Sequence, residues 1–307
     1  MTTPPRVACI GECMVELREG PDGQLRRSFG GDTLNTAVYL ARLGVAVDYV
    51  TALGDDAWSD EMLARWQEEG IGTRLVHRLP GRLPGLYVIQ TDPQGERRFL
   101  YWRDSAAARH LFDHLDPAEL VAFDTLYLSG ITLSIYGAAA RAVLFGALAD
   151  ARSRGARVAF DTNFRPRGWP DRADAHAAYA QAYALADIVL ASAEDLALLY
   201  GDAGETELLR HAATTEIVLK LDHPACRVLH LGAELLVRAG PVKQVIDTTA
   251  AGDSFAAAYL AARLRGAPPE AAARAGHGLA GIVVGHPGAI APRAAMPRPD
   301  DFKEPDA

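Results

Sequence analysis

Nine residues late in the sequence, DTTAAGDSF at 247–255, place two acids, three hydroxyls and a glycine in a stretch of small side chains. The apolar run VKQVI (242–246) leads into them, and Phe255, Ala256, Tyr259, Leu260 and Leu264 continue at helical spacing. The segment therefore reads as a loop followed by a helix start. The first turn of a helix has no internal partners for its N–H groups. The amides of Ala250, Ala251 and Gly252 are expected to stand free, and with the helix dipole they form an anion site. Asp253, next to that site, repels an anion unless it has chemistry of its own to perform. Removing the proton from a hydroxyl that attacks a γ-phosphoryl group is such chemistry. The alternative is an ordinary N-cap aspartate.

Two neighbouring features favour the base. Asp247, Thr248 and Thr249 supply oxygens suited to a cation, and Gly30-Gly31-Asp32-Thr33-x-Asn35 offers a second polar helix start. Taken alone, that second start is a glycine-rich turn with a cap.

Bringing the two helix starts together is the task of the surrounding elements. VACIG (7–11) reads as a buried strand, and DTLNTAVYLARLG (32–44) as a helix capped by Asp32 or Thr33 and stopped by Gly44. VDYVTALG (47–54) is expected as a strand and DEMLARWQEEG (60–70) as a helix. In GLYVIQTDPQGERRFLYWRD (85–104), β-rich runs flank Asp92-Pro93-Gln94-Gly95, which suits a type I turn and predicts an antiparallel hairpin. Alternation resumes with strands at TLYLSGITL (125–133), RVAFDTN (157–163) and DIVLAS (187–192), and helices over 137–152, 172–186 and 194–200. IVLKL (217–221), RVLHL (227–231) and ELLVRAG (234–240) read as strands, and Ala-rich helices over 252–265 and 269–284 close the chain.

This order predicts an α/β fold, a mainly parallel sheet covered by helices on both faces. It predicts one domain over 1–307, with a small β lid built from about 12–30 and 75–105 projecting from it. Ligands in such a sheet sit beyond the carboxyl ends of the strands.

With Gly30-Gly31, Asn35 and DTTAAGDSF in hand, the chain resembles the PfkB (ribokinase-like) carbohydrate kinases over essentially its whole length. GECMVEL (11–17), FGGDTLNTAVYLARLG (29–44), RLPGLY (82–87), YWR (101–103), NFRPRGW (163–169) and GAIAPR (288–293) are similar to the branch that acts on a sugar acid. The resemblance implies a three-layer αβα fold with a β lid, and ATP-dependent phosphorylation of a terminal hydroxyl with Mg²⁺. Asp253 would be the base, and Ala250, Ala251 and Gly252 the anion hole. Gly30, Gly31, Asp32 and Asn35 would hydrogen-bond the sugar. Arg103 and Arg165 answer its carboxylate, because guanidinium binds carboxylate bidentately, and Tyr87 and Tyr101 would line it. Arg167 and Trp169 read as structural. On the nucleotide side the resemblance implies Ser192, Lys220, Thr249 and Gly252, with Asp195 near Mg²⁺. Asp247 and Thr249 would hold a monovalent cation such as K⁺. Relatives carry N-x-x-E where Ser192-Ala193-Glu194-Asp195 stands here, and K-x-G-x-x-G where Lys220-Leu221-Asp222-His223-Pro224-Ala225 stands. Both glycines are absent there, and Asp222 brings a negative charge.

Bulk properties agree. A net charge of −8 with three lysines (Lys220, Lys243, Lys303) and no basic stripe argues against nucleic acid as a partner. None of those lysines follows the glycine spacing of a Walker loop, and no His pair has HExxH spacing. No apolar run is long enough for a membrane span. The N-terminus lacks a secretory pattern, and Cys9, Cys13 and Cys226 form no disulfide framework, so a cytoplasmic setting is expected. An exposed lid edge could pair with a second copy, making a homo-oligomer.

Overall fold

A computed structural model describes residues 4–20, 22–91, 97–212 and 216–297. The chain opens with β1 (Arg6–Ile10) and a hairpin, β2 (Met14–Glu19) and β3 (Leu25–Gly30). Next come α1 (Asp32–Arg42), β4 (Ala46–Leu53), α2 (Ala57–Glu68) and the short β5 (Val76–Arg78). A second hairpin, β6 (Leu86–Thr91) and β7 (Arg97–Trp102), precedes β8 (Thr125–Ser129), α3 (Gly130–Ile135) and α4 (Ala138–Ser153). Alternation continues through β9 (Arg157–Asp161), α5 (Arg172–Leu185), β10 (Ile188–Ser192), α6 (Ala193–Tyr200) and α7 (Gly204–His211). The chain ends with β11 (Glu216–Lys220), β12 (Ala225–His230), β13 (Ala233–Arg238), α8 (Ala251–Leu264) and α9 (Pro269–Val283).

Nine strands form one sheet in the order β13-β12-β11-β10-β9-β8-β1-β4-β5, parallel except at β12 and β13. Successive residues of β1 explain the layering. Ala8 and Ile10 join a core with Leu144 and Tyr183, while Val7 and Cys9 join a second core with Tyr39, Phe255 and Leu279. A strand buried on both faces has to be apolar throughout, which is why VACIG shows no alternation. Gly276 lets α9 close on α8, since a Cβ there would lie 2.8 Å from the Phe255 ring. The three cysteines are buried and unpaired.

The lid is a separate four-stranded sheet, β3-β2-β6-β7. Each hairpin is antiparallel, and the two meet through a parallel β2–β6 pair. It is shorter than expected at one end, because β5 pairs with β4 in the main sheet. The expected turn at 92–95 lies outside the described residues.

Several local boundaries differ from the sequence reading. The strand expected through 133 ends at Ser129, where Ser129 and Thr132 form a reciprocal capping box and α3 begins. Asp56 caps α2 by accepting from the Trp58 and Ser59 amides, so that helix starts before residue 60. The N-cap of α1 is Gly31 without a side-chain cap bond, and Asp32 is already inside the helix. The helix α7 was not anticipated.

Glu216 opens β11 at the pole opposite the strands' carboxyl ends. It is 5% exposed and accepts from Tyr259 Oη (2.5 Å), Arg263 Nε (2.9 Å) and Arg263 Nη2 (2.7 Å). Glu216→Ala strands these buried donors and is expected to cost about 3–5 kcal/mol in a urea melt. A variant as stable as the parent would show the cluster to be dispensable.

Candidate active site

At the carboxyl ends of the parallel strands, β1 passes into Gly11-Glu12, β9 ends in Asp161, β10 in Ser192 and β11 in Lys220. The starts of α1 and α8 meet there. Gly31 permits it: a Cβ at that position would overlap the Glu12 carbonyl oxygen.

Ala250, at φ 61°, is the N-cap of α8 in the left-handed region. Its position turns the chain so that Gly252 and Asp253 fall in the first turn. The Ala251 amide is not free, because it donates to the Thr248 carbonyl at 3.2 Å. That corrects the expected trio. The Ala250 and Gly252 amides donate to no oxygen among the described residues.

Asp253 does not cap its helix. Its Oδ2 accepts from Asn35 Nδ2 at 2.8 Å, and Thr36 Oγ1 donates to its carbonyl at 3.3 Å. The two motifs therefore touch directly. Desolvation first, then the nearby Asp32 and Asp161 carboxylates, hold the Asp253 carboxyl well above the ordinary range, against the pull of Asn35 and Lys220. A carboxyl so perturbed by burial and by neighbouring charges is a functional-site signal. Asp32 in turn accepts from Asn163 Nδ2 at 2.7 Å, and Asn163 sits at φ 26°, a strained conformation for a non-glycine residue.

The lid supplies the other wall. Tyr87 is buried and donates to Glu16 Oε2 at 2.5 Å, beside Gly30. Tyr101 lies 5.8 Å from the Tyr87 ring and is 45% exposed. Burial pushes the Tyr101 phenol up, while Arg103, Arg165 and Arg167 pull it down, and the Arg103 guanidinium lies 5.9 Å from the ring centre. Arg103 is paired with the buried Glu12, and desolvation raises that carboxyl above its usual range. Arg165 is exposed over most of its side chain, donates to the Phe164 carbonyl at 2.8 Å and lies 3.3 Å from Asp195. Trp169 is structural as expected, with the Arg141 guanidinium 5.2 Å above its ring.

Other expected site residues have local partners. Ser192 caps α6, accepting from the Asp195 amide at 3.1 Å. Asp195 accepts from Thr162 Oγ1 at 2.7 Å. Asp247 accepts from the Thr249 amide (2.9 Å) and hydroxyl (2.6 Å), from the Gly288 amide (3.0 Å) and, at 3.5 Å, from Arg18. A K⁺ ion at Asp247 and Thr249 would compete with those donors, and the structure does not support one. Among the described residues no cluster of three or more His, Cys, Asp or Glu could hold a metal ion. Asp222 is exposed and pairs with His223 at 3.0 Å.

Sequence reasoning missed Glu12, Glu16, Asp161 and Asn163. The last two stand in DTNFR at the end of an expected strand, where polar residues in α/β sheets meet ligands. It also missed a cavity of about 470 Å³ between the 240–246 loop and α9, lined by Val242, Ile246, His277, Gly281 and Gly285.

The model of the pfkB family carbohydrate kinases matches residues 4–296. The chain belongs to that family. It is 46% identical to the 2-dehydro-3-deoxygluconokinase of Dickeya dadantii over 97% of this chain and 100% of that protein. Identity to the Escherichia coli K12 enzyme of the same name is 44%, over 95% and 99%. Among solved structures, a fructokinase from Xylella fastidiosa with bound ATP superposes with TM-score 0.85 at 25% identity, covering 98% of this chain and 97% of that one. A Thermotoga maritima 2-dehydro-3-deoxygluconokinase shares the fold, with TM-score 0.84 at 21% identity over 94% and 95%.

A carbohydrate kinase has to hold an alcohol beside a phosphoryl donor, and here the starts of α1 and α8 meet at the carboxyl ends of the strands. Gly31→Ala is expected to displace the start of α1, carrying Asp32 and Asn35 with it. Steady-state assay of ADP release should show kcat/KM reduced about 10²-fold. An unchanged rate would mean that the close approach of α1 to Glu12 is not needed.

Proposed function

We propose that this protein transfers the γ-phosphoryl group of ATP to the C6 hydroxyl of 2-dehydro-3-deoxy-D-gluconate. The observation that carries the reading is the Asp253 carboxyl, held by Asn35 at the start of α8 and raised by burial and by the Asp32 and Asp161 carboxylates. The relatives at 44–46% identity carry that activity in their names. Asp253 takes the proton of the sugar alcohol. The alcohol oxygen then bonds to the γ-phosphorus as the bond to the bridging β,γ-oxygen breaks, and ADP leaves with that electron pair. The free amides of Ala250 and Gly252 meet charge on the transferring group.

The cavity between the 240–246 loop and α9 suits the nucleotide base. Its loop wall runs on in sequence into Asp247–Gly252, and Val245 and Ile246 of that loop are exposed, 61% and 51%. Gly281 of α9 and Gly285 just beyond its end line the cavity without side chains. Asp195, beside Thr162 and Arg165, is the carboxylate that would help hold a Mg²⁺ ion, which would supply positive charge to the phosphates of ATP. Arg103 and Arg165 take the substrate carboxylate, which a neutral sugar lacks. Buried free thiols fit a cytoplasmic setting.

Asp253→Asn should lower kcat about 10²–10⁴-fold with sugar-acid affinity nearly intact by calorimetry. Near-normal turnover would remove the base assignment. Arg165→Ala should raise KM for the sugar acid about tenfold, worth about 1.4 kcal/mol, and leave KM for ATP within twofold (about 0.4 kcal/mol). Equal effects on both would place Arg165 elsewhere. In an ADP-release assay across sugar acids and neutral sugars, a preference for neutral sugars would contradict the substrate.

Pairing with a second copy through the lid is supported by its open edge at β7 and by Trp102, 59% exposed there. Trp102→Glu should then shift the sedimentation coefficient towards a monomer. A parent protein that sediments as a monomer at all concentrations would rule the pairing out.

A further inference from the structure

Lys220 and Asp161 form an ion pair that no step above uses. β9, β10 and β11 lie side by side, with Ser192 of β10 level with Lys220 and Leu190 level with Asp161. The Lys220 side chain crosses β10, and its Nζ reaches both Asp161 oxygens, at 3.2 and 3.4 Å. Asp161 is 3% exposed. The same Nζ lies 3.5 Å from where a Cβ on Gly252 would stand, directly against the start of α8. Within 4 Å, among the described residues, Lys220 pairs with Asp161 and not with Asp253.

The ammonium is thus placed beside the amides that receive the phosphoryl group, and is tied back to a carboxylate other than the base. A buried ion pair of this kind adds little net stability over an apolar pair of similar size, so its position calls for another explanation. We propose that Asp161 is a positioning residue: it parks the Lys220 ammonium under the phosphoryl site and keeps it from neutralising Asp253. The cation then serves the incoming phosphate, and the base stays free to accept the alcohol proton. The inference rests on the reading of Asp253 as the base.

Charge bookkeeping around Asp253 supports the geometry. Asp32 on α1, Asp161 on β9 and Lys220 on β11 face it, with Asn35 of α1 as a neutral donor. The Tyr39 and Tyr127 phenols also face it, and burial raises both so that they stay neutral in the working range. Burial likewise pushes Asp161 up to about 6, against the pull of Lys220. Removing the Asp161 charge frees Lys220 to approach Asp253 and removes a repelling carboxylate, and both lower the pKa of the base. Removing the Lys220 charge has the opposite sign.

The test is the pH dependence of kcat/KM for the sugar acid, which reports essential groups of the free enzyme, in the parent, Asp161→Asn, Lys220→Met and Lys220→Arg. The acidic limb is expected to move about one pH unit down in Asp161→Asn and about one unit up in Lys220→Met. It should stay near the parent in Lys220→Arg, and KM for ATP should rise severalfold in Lys220→Met alone. A merely structural pair would lower rates at every pH and leave the limb in place. Limbs that stay fixed, or shift in the same direction in Asp161→Asn and Lys220→Met, overturn the proposal. If Asp161→Asn does not fold, the contrast between Lys220→Met and Lys220→Arg decides, and equal limbs in those two overturn it. Turnover retained in Asp253→Asn is a separate result. It would remove the base itself rather than its neighbours.

Discussion

A buried carboxylate crowded by two other carboxylates is an electrostatic conflict, and the starts of α1 and α8 meet at it. Asp253 shares its surroundings with Asp32 and Asp161, and one amide and one ammonium, from Asn35 and Lys220, offset them. Ionising Asp253 is therefore unfavourable in the free protein. That is the property a base needs if it is to bind the proton of an alcohol near neutral pH. An N-cap at the same place would be satisfied by its own helix and would have no such tendency.

Holding that conflict in place takes rigid parts. The parallel strands bring Asp161, Ser192 and Lys220 to one end of the sheet, and two cores on its opposite faces fix the strands. Gly31 lets α1 approach the turn after β1, and strain at Asn163 sets the donor that orients Asp32. The lid adds Tyr87, Tyr101 and Arg103 from its own small sheet, and Glu12 anchors the guanidinium from below. Asp253 and the groups around it thus depend on residues nearly the whole chain length apart.

Much of this was legible in the sequence, because the strongest signals were local. Helix periodicity after Gly252 and after Gly31 placed both starts correctly, and the Pro-Gly pair marked the lid hairpin. What was not legible depended on backbone detail or on distant neighbours. The Ala251 amide is lost to a turn that only the left-handed Ala250 makes visible. The apolar residues of Gly130–Ile135 look like more strand until Ser129 is seen to cap a helix. Glu12 and Asp161 passed as ordinary polar residues at strand ends, because their partners, Arg103 and Lys220, are far away in sequence.

The most direct measurement is a crystal structure of the protein with the sugar acid and a non-hydrolysable ATP analogue bound together. This account predicts an Asp253 carboxyl oxygen within about 2.6–3.2 Å of the C6 hydroxyl, with that hydroxyl in line with the γ-phosphorus. A hydroxyl out of reach of Asp253, and hydrogen-bonded to a different acid or base, would contradict it.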